Sequence, residues 1–245
     1  MPASEVLALA AGIFVAAVLY SSVGHGGASA YLAAMALAGV APAVMRPTAL
    51  VLNLLVAAIA AVQFARAGHF SWRLLWPFAL GSVPLAFVGG TIHLPTTLYK
   101  QMLGAVLLFA AARLLYEPRP GQPVRSPMAV WVAVLVGAGV GLLSGLTGVG
   151  GGIFLSPILL VGRWAEPKPT AAVSAAFIWV NSLAGLAGQV ASLSMIPAGV
   201  AVWSVAAVGG GLLGSTVASR RLAGWTLRRL LAVVLVVAGV KMLFV

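Results

Sequence analysis

The chain has 245 residues, of which 62% are hydrophobic and only 7% are charged, whereas a soluble domain carries about 25% charged residues. The apolar residues come in long blocks, which excludes a soluble globular fold and is typical of a polytopic membrane protein in a lipid bilayer. The net charge of +11 does not indicate a nucleic-acid partner, because the basic residues stand singly or in pairs between apolar blocks.

Ten apolar segments follow one another along the chain, and most of them could cross a hydrocarbon core of about 30 Å. The second segment of each half is shorter, so whether it spans or re-enters stays open. The fold class predicted is an all-α polytopic membrane protein with about 8–10 transmembrane or re-entrant helices. The segments are 6–22, 28–40, 48–65, 74–92, 98–115, 128–146, 153–161, 170–193, 200–217 and 227–245.

The two halves of the chain resemble each other. Gly24 to Gly27 stand 124 residues before Gly148 to Gly151, and Asn53 stands 128 residues before Asn181. Internal duplication is common in transporters. We therefore predict two loosely separated repeats, 1–116 and 128–245, joined by a linker at 117–127.

The basic residues predict the orientation of the chain. With five crossings in each half, only Arg46, Lys100 and Lys241 fall on one side, and the other eleven fall on the opposite, cytoplasmic side. An even number of crossings per half would reduce the bias to eight against six. The sequence therefore favours inverted repeats in an inner membrane, with a cytoplasmic linker and both termini in the periplasm.

Two glycine clusters each fall between a long and a short apolar segment. Glycine destabilises helices and permits positive φ, so each cluster should break a helix. A break at membrane depth is tolerated where it lines a cavity, and the helix that follows presents free N–H groups and the positive end of its dipole. Close helix packing is the alternative interpretation. The predicted anion cradle comprises Gly24, His25, Gly26, Gly27, Thr147, Gly148, Gly150, Gly151 and Gly152.

The segment from Leu143 to Gly152, which reads LSGLTGVGGG, and the following Ser156-Pro157 resemble the signature of the sulfite exporter TauE/SafE family. The resemblance extends over both halves, although the first copy has His25 in place of Val149. It implies a permease that exports sulfite, a sulfonate or another small organic anion, with coupling to protons.

Polar residues in the third segment of each half could complete the cradle. Thr48 and Asn53 are expected to correspond to Ser174 and Asn181, and all four could supply hydrogen bonds to an oxyanion. The alternative is hydrogen bonding between helices. His25 could carry a proton beside the anion, because imidazole titrates near neutral pH, or it could bond to carbonyls of the broken helix.

Arg46 precedes Pro47 and Thr48, just before the third apolar segment. It could reach the headgroups along the membrane surface, or attract anions at the outer mouth.

Three glycines at four-residue spacing, Gly137, Gly141 and Gly145, predict close helix packing without a ligand. Gly210 and Gly214 support the same interpretation in the second half.

The acidic residues, Glu5, Glu117 and Glu166, all lie at segment ends or in loops, so a cation pathway is disfavoured. The histidines lack ligand spacing and cysteine is absent, so we predict neither a metal site nor a cofactor. An anion channel and a structural membrane subunit without transport remain open as alternatives. The chain could also form a homo-oligomer, and the sequence does not identify its oligomeric state. An intramembrane enzyme would depend on Ser22 and His25, which do not form a triad.

Overall fold

The computed structural model describes residues 2–22, 24–115, 128–190, 196–197, 199–218 and 225–244, so the predicted linker lies outside the described residues. The described residues form ten α-helices and no strand, one helix for each apolar segment of the sequence. The helices are α1 (Ala3–Ser21), α2 (Ala28–Leu37), α3 (Pro42–Arg66), α4 (Trp72–Thr91), α5 (Thr96–Leu115), α6 (Val130–Thr147), α7 (Gly152–Val161), α8 (Pro167–Ala187), α9 (Val200–Ala218) and α10 (Trp225–Phe244).

Five of these helices, α1, α3, α4, α6 and α8, are long and apolar enough to cross a membrane. The all-helical membrane fold predicted from composition is thereby confirmed. By contrast, α2 and α7 have 10 residues each. A helix of that length is about 15 Å long, which is half of the hydrocarbon thickness.

The two halves of the chain interlock. Helix α1 packs along α9 and α6 packs along α4, while α3 contacts α8 and α5 contacts α10. The counterpart of each helix in the first half is the helix five places further along the chain. Exchanging counterparts turns the α1–α9 pair into the α6–α4 pair and leaves the α3–α8 and α5–α10 pairs unchanged, as two related repeats require. The expected loose separation of the halves is wrong, because their main packing partners lie in the opposite half. The inverted orientation of the repeats stays a prediction.

The spaced glycines bring the paired helices close together. A Cβ on Gly137, Gly141 or Gly145 would collide with a backbone carbonyl of α4, and a Cβ on Gly210 or Gly214 would collide with a carbonyl of α1. The predicted packing role of these glycines is confirmed.

Helix α3 begins at Pro42 and continues through Pro47, earlier than the sequence predicts, and this places Arg46 inside the helix. Arg46 is only 7% exposed, so the expectation that it reaches headgroups or the outer mouth is wrong. Its guanidinium donates instead to carbonyls near the ends of α4 and α6. The acceptors are Gly145 O at 2.9 Å, Ile92 O at 2.9 Å, Gly90 O at 3.0 Å and Gly89 O.

Candidate functional site

Each glycine cluster interrupts the helical structure and separates a long helix from a short one. After α1 ends at Ser21, the chain turns and α2 begins at Ala28, with Gly27 as its N-cap at a φ of 96°. After α6 ends at Thr147, α7 begins at Gly152, with Gly151 as its N-cap at a φ of 82°. We call Ser22 and residues 24–27 the first break and residues 148–151 the second break. L-residues with a side chain rarely adopt such φ values, so glycine allows both short helices to begin here.

Asn53 of α3 joins the two breaks. Its Oδ1 accepts the N–H of Ala28 at 3.1 Å, and its Nδ2 donates to the carbonyl of Val149 at 3.1 Å. Asn53 is fully buried. Asn53 therefore contacts both breaks, and its role as a donor to a substrate stays a prediction. The amide does more than face the breaks, because it caps the N-terminus of α2 and holds the second break beside it.

Ile178 of α8 lies on the other side of the two breaks. A Cβ built on Gly26, Gly150 or Gly152 would come within 3.1 Å of its side chain. Ile178 therefore packs against the backbone of both breaks and covers the N-terminus of α7.

The structural counterpart of Asn53 is Ile178 and not Asn181. Gly24 of the first break packs against Ala171 of α8, and the matching Gly148 of the second break packs against Arg46 of α3. Arg46 and Ala171 therefore hold equivalent positions in the two halves, 125 residues apart. At that spacing Asn53 corresponds to Ile178. The correspondence at 128 residues proposed from the sequence is therefore wrong for the third helices. One half carries an amide where the other half carries an apolar side chain.

His25 lies in the first break and is linked to two helices of the other half, directly to α7 and through Ser156 to α8. Its Nε2 is 3.0 Å from Ser156 Oγ, and Ser156 Oγ is 2.8 Å from Ser174 Oγ. The predicted residues His25 and Ser174 thus belong to one hydrogen-bonded chain. Ser22 does not contact His25 through its hydroxyl but donates to Leu19 O at 2.7 Å, so the nominal Ser–His pair of the sequence is not formed.

Tyrosine hydroxyls bond to polar groups of the first break and of α2. Ser29 donates to Tyr20 Oη at 2.7 Å, and Tyr31 donates to Gly26 O at 2.8 Å. A small cavity lies beside these groups, with room for about one water molecule. It is lined from both halves, by Tyr20, residues 25–29, Val149, Ile153 and Ile178.

Three predicted site residues have no side-chain hydrogen bond to a break among the described residues. Thr147 Oγ1 donates to Leu143 O at 2.7 Å, and Asn181 Nδ2 donates to Phe177 O at 2.8 Å, so both bond within their own helix. Thr48 Oγ1 is buried and has no hydrogen-bond partner among the described residues. Their proposed contacts with a substrate remain predictions.

Sequence reasoning missed Ser156, Ile178 and Tyr20 as site residues. Ser156 lies in the family signature, which was the one available signal for it. Ile178 is apolar in an apolar helix, and nothing local distinguishes it from a packing residue. Only the spacing of 125 residues from Asn53 could have drawn attention to it.

Comparison with known proteins identifies the family of the chain. Residues 8–242 match the family model described as Sulfite exporter TauE/SafE. The chain is also 39% identical over 245 residues to the probable membrane transporter protein y4hK of Sinorhizobium fredii (strain NBRC 101917 / NGR234), covering 98% of this chain and 99% of that protein. No solved structure matches the chain. The match includes both breaks, eight whole helices and most of α1 and α10, and the chain belongs to the sulfite exporter TauE/SafE family of membrane transporters.

Proposed function

We propose that this membrane transporter is a carrier that moves a small anion by alternating access, and that the anion binds where the two helix breaks meet. One observation carries the proposal: breaks from opposite halves of the chain lie together and are joined by a single buried amide. Broken helices at the interface of two repeats are the usual binding place in secondary transporters. Motion of one half against the other would then open the site to either side.

The electrostatics of the breaks favour an anion. Two short helices begin there, and a helix N-terminus carries partial positive charge and unpaired N–H groups. Two of the three carboxylates in the chain, Glu5 and Glu166, are exposed at helix N-termini. Cation transporters place carboxylates inside their spans. Transport, and not catalysis, is therefore the proposed role.

Sulfite, a sulfonate or another small organic anion is the substrate class that we propose, following the description of the family. Export is the direction that the same description supports. His25 is the group in the breaks that could take up a proton, and its bond to Ser156 links the first break to α7. Proton coupling through His25 is therefore part of the proposal.

Purified protein in liposomes should accumulate anions and not cations. The assay would offer sulfite, sulfate, sulfoacetate, taurine and carboxylates, with and without a pH gradient, alongside sodium and ammonium. We expect saturable anion flux that an imposed pH gradient accelerates. Counterflow of labelled anion would distinguish a carrier from a channel, and cation accumulation without anion flux would overturn the proposal.

Both termini are proposed to face the periplasm of an inner membrane. The reason is the strong excess of basic residues on the side that carries the linker. Alkaline phosphatase fused after Val245 should be active, because that enzyme folds only outside the cytoplasm, and a fusion within 117–127 should be inactive. The opposite pair of results would contradict the inverted arrangement.

A further inference from the structure

The two short helices differ in how their first N–H groups are used. At α2, the N–H of Ala28 donates to Asn53 Oδ1 at 3.1 Å. At α7, the N–H groups of Gly152 and Ile153 have no hydrogen-bond acceptor within the described part of the chain. The first N–H groups of a helix have no partner inside the helix itself. Asn53 therefore caps the first N–H of α2, and the N–H of Ser29 has no backbone acceptor among the described residues. The two helices thus differ at their first N–H, which is bonded in α2 and open in α7.

Two buried hydroxyls without partners border the same end of α7. Ser144 and Ser182 are both fully buried, and neither Oγ has a hydrogen-bond partner in the described ranges. Ser182 Oγ lies 3.1 Å from the position of a Cβ built on Gly150, and Ser144 Cβ lies 3.5 Å from that of a Cβ built on Gly151. The hydroxyls thus stand on α6 and α8 beside the second break.

The first break has no such unpaired hydroxyls at the matching positions. Tyr20 stands 124 residues before Ser144, and its hydroxyl oxygen accepts a hydrogen bond from Ser29. Ala57 stands 125 residues before Ser182 and has no polar side chain. Buried polar groups are almost always hydrogen-bonded, because an unpaired one is costly. The two unpaired hydroxyls beside the second break, together with the open N–H groups of α7, form the set of donors that a ligand-binding half-site requires.

We propose that the second break is the half-site that grips the substrate, with the N–H groups of Gly152 and Ile153 and the hydroxyls of Ser144 and Ser182 as donors to a small oxyanion. This inference rests on the anion transport proposed above. The first break is its capped counterpart, in which Asn53 occupies the place of the ligand. Ile178 covers the half-site in the conformation described here and must move aside when the anion enters.

Thermal unfolding in detergent with increasing sulfite, sulfate or sulfoacetate tests the assignment. A ligand that binds only the folded state raises the free energy of unfolding of the protein by RT ln(1 + [L]/Kd), where [L] is the ligand concentration. We expect Ser144→Ala and Ser182→Ala each to weaken binding by about tenfold, the usual effect of losing one hydrogen bond to a charged ligand. The double variant should lose about a hundredfold if the two contacts are independent.

Ser82→Ala is the matched control. Ser82 is also fully buried and without a partner among the described residues, but it lies against Gly141, about two helical turns of α6 from the second break. Its removal should leave affinity unchanged. If the wild type binds an anion and both serine variants bind it equally well, the half-site is wrong and the proposed function stands. If none of the anions stabilises the wild type, the proposed function fails together with the half-site.

Discussion

Gly150→Ala should reduce anion transport by at least about tenfold, which corresponds to a loss of about 1.4 kcal/mol in binding. Gly150 has a φ of 81°, and a methyl group there would stand 2.9 Å from Ile178 Cγ2 and closer still to Asn53 Nδ2. Asn53 would have to move, and its bond to Val149 O would be lost. Because that bond holds the two breaks together, the substitution disrupts the place where the anion is proposed to bind.

Gly39→Ala and Gly68→Ala separate this steric effect from backbone strain. Both glycines have a similar φ, 73° and 76°, but a Cβ on either would meet nothing within 4 Å. All three variants should carry the cost of placing alanine in the left-handed region, about 1–2 kcal/mol. Proteoliposome flux at matched protein amounts should fall only for Gly150→Ala. Equal flux in the three variants would show that the second break tolerates a side chain. That result would contradict the proposal that the anion binds at this break.

Arg46→Met should destabilise the protein by roughly 3 kcal/mol or more, since each buried acceptor left unpaired costs about 1–3 kcal/mol. The guanidinium bonds to four carbonyls on α4, α6 and the residue after α4, and methionine would fill its space without a donor. Arg46→Lys should recover little, because one ammonium group cannot reproduce the fork that spans both helices. Thermal unfolding in detergent measures both effects.

Arg66→Met and Arg73→Met provide the comparison for the loss of one positive charge. Both arginines are exposed, so each change should stay within about 0.5 kcal/mol. Arg46 also lies beside Gly148, since a Cβ there would be 3.1 Å from Arg46 O. We therefore expect Arg46→Met to lower transport as well, through displacement of the second break. An Arg46→Met protein that unfolds at the wild-type temperature would contradict a stabilising role for the hydrogen bonds from Arg46 to α4 and α6.

Most of the fold could be predicted from the sequence because its signals are local. Apolar blocks gave the ten helices, and glycines at 24–27 and 148–151 gave both breaks. The spacing of small residues gave the packing of α6 on α4. Less of the candidate site was accessible, since hydroxyls such as Ser156 and Ser182 look like ordinary polar residues of a helix until their neighbours are known.

The sequence by itself determined where helices run and where they break, because helix propensity and hydropathy are properties of neighbouring residues. Tertiary structure decided which side chains meet. Arg46 donates to the carbonyl of Gly145, which is 99 residues further along the chain. Asn53 donates to the carbonyl of Val149, which is 96 residues further along. The same packing sets Ile178, not Asn181, opposite Asn53, because an offset of three residues moves a side chain about 4.5 Å along the helix axis and about 60° around it. Burial of Arg46 likewise depends on the ends of two other helices converging on it, which no pattern within α3 specifies.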